Sequence, residues 1–156
     1  MVLDRAAIVE STIADYLMLA NPARNAADHL AALRLVGLED RIALLPDGIQ
    51  TRLSSTGAPF TVAKMMQLKL AAAILSEPSI LVLSPLFDTV PKARLRAVFD
   101  HFRGRPTTIL YFTNRPEDMA LDGWLWMGLD RQAVLSSRAA FDALRAPAGR
   151  ETADGQ

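Results

Sequence analysis

Apolar residues recur with two different periods along this chain, and the change falls near Pro78. Up to that point the period is helical. Ile13, Tyr16, Leu17 and Ala20 share one helix face, and Asn21-Pro22 stops the helix. Ala26, Leu30 and Leu33 form a second stripe, ended by Gly37. Glu39 to Leu45 predicts a short third helix before the turn Pro46-Asp47-Gly48. Residues 49–60, with Ser54, Ser55, Gly57 and Pro59, read as irregular. Thr61 to Leu75 predicts one longer helix, apolar almost all round, with Met65, Leu68, Ala72 and Leu75 on one face. A helix of that kind is expected to be deeply buried.

Beyond Pro78 the pattern changes to continuous apolar runs. Ile80-Leu81-Val82-Leu83 and Thr107 to Phe112 suit strands of a parallel sheet that are buried on both faces. Between them Leu95, Val98, Phe99 and Phe102 fall at helical spacing, which predicts a βαβ unit. Its strands are expected to be adjacent and parallel. Trp124 to Leu129 and Ala133 to Ser136 read as a strand pair joined through Asp130-Arg131. One of Trp124 and Trp126 is expected in the core. Ser137 caps a last short helix holding Phe141 and Leu144.

Composition narrows the chemistry. Half of the 156 residues are apolar, and the 17 basic residues balance the 17 acidic ones. A neutral chain has no general field for nucleic acid or anionic lipid, so no nucleic-acid partner is expected. With no cysteine and only His29 and His101, thiolate sites and histidine metal cages are not expected. His101, beside Asp100, reads as a surface residue of its helix. The first residues carry acids at Asp4, Glu10 and Asp15 and lack the basic start and apolar run of a signal peptide. The apolar stretch from Leu68 to Phe87 is broken by Lys69, Glu77 and two prolines, so no membrane span is predicted.

The order of helical block, long helix, strand, helix, strand, hairpin and short helix resembles the nucleotide-binding domain of an exporter-type ABC transporter. LPDGIQTRLSSTGAPF is similar to the stretch leading into that family's signature motif. LSEPSILVLSPLFDTV resembles the Walker B strand and D-loop, TTILYFTNRPED the switch segment, and VLDRAAIVESTIADYL the Q-loop with its following helix. The resemblance covers about residues 1–145 and corresponds to the C-terminal two-thirds of such a domain. It implies an α/β fold: a partial RecA-like parallel-sheet core of the P-loop NTPase type over 1–11 and 78–146, a helical signature subdomain over 12–77, and a disordered tail over 147–156.

The residues that carry the family's chemistry are substituted. By resemblance, the signature glycines fall on Val62 and Ala63, whose side chains crowd a phosphate, between Thr61 and Lys64, which retain a hydroxyl and a charge. Thr61 reads equally as a helix cap and Lys64 as a first-turn surface residue. The Walker B acids fall on Ser84 and Pro85, a poor magnesium ligand and a residue without a proton to exchange. Asp88, at the start of the D-loop, is the only acid close by. It reads as a solvated loop acid, with replacement of the missing carboxylate as the competing reading. The switch histidine falls on Asn114 and the Q-loop glutamine on Asp4. Lys64, Lys69 and Lys92 follow Ala63, Leu68 and Pro91, so no Gly-Lys phosphate loop exists.

The resemblance implies a degenerate ATP-binding domain with little or no hydrolysis. Its partners would be a second nucleotide-binding domain and a transmembrane domain at the inner membrane face, with ATP and magnesium weakly bound or absent. The alternatives are an active ATPase using unusual residues and a soluble scaffold that retains only the fold. The chain is expected to be a piece of a longer transporter rather than a freestanding remnant.

Overall fold

The longest apolar helix is the centre of the first half. In the computed structural model, which describes residues 1–3, 8–115, 121–129 and 132–145, helix α4 (Val62–Ser76) buries every residue from Met65 to Leu75. Each leucine removed from water there contributes roughly 1.5–3 kcal/mol. Helices α1 (Ile13–Ala20) and α2 (Ala26–Val36) pack against α4 and present Ile13 and Leu17, and Ala32, Leu33 and Val36. The short α3 (Glu39–Ala43) follows.

Local chemistry sets the ends of these helices. Thr12 Oγ1 accepts the Asp15 N–H, and Asn25 and Asp28 form a reciprocal capping box at α2. Gly37 ends α2 with φ +76°, and its N–H bonds back to Leu33 and Arg34. Asn21 does more than stop α1, because its amide donates to the Leu75 carbonyl at 3.0 Å and ties the ends of α1 and α4 together. Buried Gln67 donates its amide to the Val36 carbonyl. Glu77 ends α4 with φ +44°, a left-handed conformation that costs a residue with a side chain about 1 kcal/mol.

Two strands occupy regions where the hydrophobic pattern is silent. Residues 49–60, expected to be irregular, hold the end of a 3-10 turn (Gly48–Gln50) and strand β3 (Arg52–Leu53). β3 pairs antiparallel with β2 (Ser11–Thr12). Strand β1 (Val2–Leu3) pairs in parallel with β4 (Ile80–Leu83), which pairs in parallel with β5 (Thr108–Tyr111). Helix α5 (Lys92–Phe102) connects β4 to β5 and buries Leu95, Val98 and Phe102. The adjacent parallel strands expected at Ile80–Leu83 and Thr108–Phe112 are therefore present, β5 ending one residue earlier.

Burial of these strands on both faces is not observed. Leu81 and Leu83 are fully buried, and Tyr111 meets Phe99 of α5 edge-on at 5.7 Å. The opposite face carries Ile80, Leu110 and Phe112, which are 53%, 42% and 47% exposed. Helices cover one side of the sheet, and the alternation of side chains leaves the other side open. The first unit, Met1–Asp118, is thus mixed α/β with a small parallel sheet.

The second unit, Met119–Gln156, is described over 121–129 and 132–145. Strands β6 (Trp124–Met127) and β7 (Gln132–Leu135) form an antiparallel pair, and Ser137 Oγ accepts the Ala140 N–H at the start of α6 (Arg138–Arg145). Both tryptophans, rather than one, turn inward: their rings lie 5.3 and 5.7 Å from that of Phe141. Each remains half-buried because so small a unit cannot enclose them. Asp130, Arg131 and the tail over 147–156 lie outside the described residues. Among the described residues no helix is long and apolar enough to cross a membrane.

Candidate functional site

In an open parallel sheet the chemistry sits beyond the carboxyl ends of the strands. At the end of β4, Ser84 Oγ accepts the Leu86 N–H and Pro85 occupies the first position of a 3-10 turn (Pro85–Thr89). Phe87 is wholly buried and anchors the turn. The anchoring delivers Asp88 to the end of β5. There its Oδ1 accepts from the Tyr111 hydroxyl and from Thr113 Oγ1–H, the latter at 2.6 Å, and its Oδ2 accepts the Asn114 N–H at 2.9 Å. Thr113 Oγ1 in turn accepts the Arg115 N–H at 2.9 Å.

This geometry corrects the reading of Asp88 as a solvated loop acid. It is half-buried and joins the turn after β4 to the end of β5. Burial alone would raise its pKa. The bonds from Thr113, Tyr111 and Asn114, with the charge of Arg115, outweigh that and hold its carboxyl below the ordinary range. Burial, reinforced by the bond to Asp88, pushes the Tyr111 hydroxyl well above the usual tyrosine range. Three of the roughly four lone-pair directions of the carboxylate are occupied, which leaves little for a cation. Among the described residues, no three acidic or histidine side chains are grouped to hold a metal ion.

The other expected site residues are not part of this cluster. Thr61 Oγ1 caps α4 by accepting the Lys64 N–H at 3.4 Å. Val62 is 47% exposed, and Ala63 and Lys64 are half-buried. Asp4 lies outside the described residues. The sequence reading does not single out Tyr111 and Thr113. The available signal was their i, i+2 spacing at the end of a strand, which puts two hydroxyls on one face.

Among solved structures, 348 chains match this one. One is a bacterial Atm1-family ABC exporter with ATP bound, matched with a TM-score of 0.75 and 19% identity over 92% of this chain. The fold is shared. The chain spans about a quarter of that exporter chain's length, 26%. At this identity the likeness speaks for the fold alone. No family model and no curated protein sequence matches.

Proposed function

We propose that the chain is a degenerate ATP-binding-cassette domain that couples or regulates transport with little or no hydrolysis of its own. In this reading residues 12–77 form the helical subdomain, and 1–11 with 78–146 form the partial RecA-like core. The domain pairs with a second nucleotide-binding domain and with the transmembrane part of a transporter, at the inner face of a membrane. The observation that carries the reading is the state of Asp88. Where the family uses acids, Ser84 and Pro85 cannot hold magnesium or polarise water, and the neighbouring carboxylate is engaged by Tyr111, Thr113 and Asn114. In this reading Asn114 is the polar group offered to ATP and magnesium at the strand ends, and Thr61 and Lys64, with Val62 and Ala63 in place of glycines, are those offered separately at the start of α4.

Phosphate release from the protein, alone and with a partner domain, tests this. Missing charge stabilisation costs a factor of ~10²–10³ per donor, so turnover is expected far below the ~1 s⁻¹ lower end of ordinary enzymes. Ser84→Asp or Pro85→Glu alone should change little, since these groups act as a unit. Turnover near ~1 s⁻¹ that Asp88→Asn abolishes would overturn the proposal. Calorimetry with magnesium-ATP is expected to give a Kd weaker than ~1 mM, and a value near ~1 μM would reveal a nucleotide site elsewhere.

A further inference from the structure

The donors that hold Asp88 all belong to one short stretch at the end of β5. The Tyr111 hydroxyl and Thr113 Oγ1–H meet Asp88 Oδ1, and the Asn114 N–H meets Oδ2 at 2.9 Å. Each is placed by groups other than Asp88. Tyr111 is paired with Leu83 of β4, and its ring lies edge-on to Phe99 of α5. The Phe112 N–H donates to the Leu83 carbonyl at 2.9 Å, which fixes the chain just before Thr113. Thr113 Oγ1 accepts the Arg115 N–H, so its own hydrogen is left to point at the carboxylate. Burial pushes the Tyr111 hydroxyl well above the usual tyrosine range, so it stays a donor at neutral pH.

The acid arrives from a different element. Asp88 sits on the five-residue 3-10 turn Pro85–Thr89, which the buried Phe87 holds to the core. Two hydroxyls and a backbone N–H therefore converge on two oxygens that share one centre and one negative charge. Groups that only donate, aimed at one point from a strand end, select an acceptor-only anion. Arg115 adds its positive charge at the same carboxylate. A phosphate presents the same features as the carboxylate, with further oxygens to spare.

We propose, on the reading of the chain as a degenerate ATP-binding domain, that the end of β5 is an oxyanion site for phosphate which Asp88 occupies in cis, as an autoinhibitory contact. The tethered carboxylate has a high effective concentration, so a dissolved phosphate competes poorly while Asp88 is present. Removing the carboxylate leaves the Tyr111 hydroxyl, Thr113 Oγ1–H and Asn114 N–H in place and opens the site. The strand end then takes the anion in the orientation that Asp88 now shows: one oxygen on the two hydroxyls, a second on the Asn114 N–H.

The test adds inorganic phosphate to the whole protein and follows the Thr113 and Asn114 amide signals by NMR, with chloride at equal ionic strength as the control. In Asp88→Ala a saturable shift is expected with a Kd on the order of 1 mM. In the unsubstituted protein, and in Asp88→Ala combined with Thr113→Val, binding should be at least about tenfold weaker. Absence of saturation by about 50 mM phosphate in Asp88→Ala overturns the proposal, as does equal binding with and without the carboxylate. Binding that survives Thr113→Val unchanged puts the anion elsewhere and also overturns it. If Asp88→Ala does not fold, Asp88→Asn decides: its neutral amide should yield to phosphate, and binding no tighter than in the unsubstituted protein overturns the proposal. Magnesium-ATP on Asp88→Ala separates the two sources of the anion. A shift of the same amides at about tenfold lower concentration than phosphate assigns the site to the end of a nucleotide, and equal or weaker binding assigns it to free phosphate. Phosphate release by the unsubstituted protein is measured separately, so turnover there would overturn the degenerate-domain reading, whereas a silent Asp88→Ala titration overturns only the occupied oxyanion site.

Discussion

α4 and the β4–β5 pair are built from equally apolar runs, but their surroundings differ. α4 is met by α1, by α2 and by the 3-10 turn after β4, and its eleven central residues are all buried. In the sheet, Leu81 and Leu83 are buried while Ile80, Leu110 and Phe112 are about half exposed. The difference shows what an apolar run reports. It states which surfaces gain from cover, and the neighbours decide which surfaces receive it. Energies of substitution should therefore follow the neighbours rather than the hydropathy of the run.

The largest effect is expected at α4. Leu68→Ala removes a wholly buried side chain and should destabilise the first unit by about 2–5 kcal/mol in denaturant unfolding. Equal losses for Leu68→Ala and Leu110→Ala would end the contrast between helix and sheet. Next comes the cluster at the strand ends. Asp88→Ala strands the Tyr111 hydroxyl, Thr113 and the Asn114 N–H, and should cost about 1–3 kcal/mol by the same measurement. A loss below about 0.5 kcal/mol would mean that water replaces the carboxylate.

A smaller effect should appear with pH. The Asp88 carboxyl is lowered from 3.8, so its contribution is complete above that value and is lost as pH falls through the folded-state value. The Tyr111 hydroxyl is raised from 10.0, so its contribution is complete below 10 and is lost as pH rises through the folded-state value. Thermal midpoints measured from pH 3 to 11 should show the onset of both losses, below 3.8 and above 10, and Asp88→Asn should remove the acid one. The smallest effect belongs to the open sheet face. Leu110→Thr retains a branched strand residue at a half-exposed position and should change stability by less than about 0.5 kcal/mol.

Much of the fold is legible in local sequence because its causes are local. Thr61 caps α4, Gly37 closes α2, and Leu95, Val98 and Phe102 bury one face of α5, all as their spacing implies. The features that were not legible depend on partners far away in the chain. β2 is two residues long and finds its mate about forty residues on, at Arg52–Leu53. Asp88 meets Tyr111 and Thr113 only because parallel pairing puts Leu83 beside Tyr111. The letters at the candidate site show a single acid, Asp88, just after β4. They do not reveal that it is engaged by hydroxyls from the next strand.

The parallel pairing of β1 with β4 also sets a timetable. Val2 faces Val82, eighty positions later, whereas Ile80 faces Thr108 after only twenty-eight. A ribosome adding ~5–20 residues per second needs about 4–16 s to carry synthesis from the first of these strands to its mate. Helix α4 and its neighbours are complete before then. Strand β1 is therefore added to a structure whose helical half is already assembled, and β4 must be present before β1 has an edge to join.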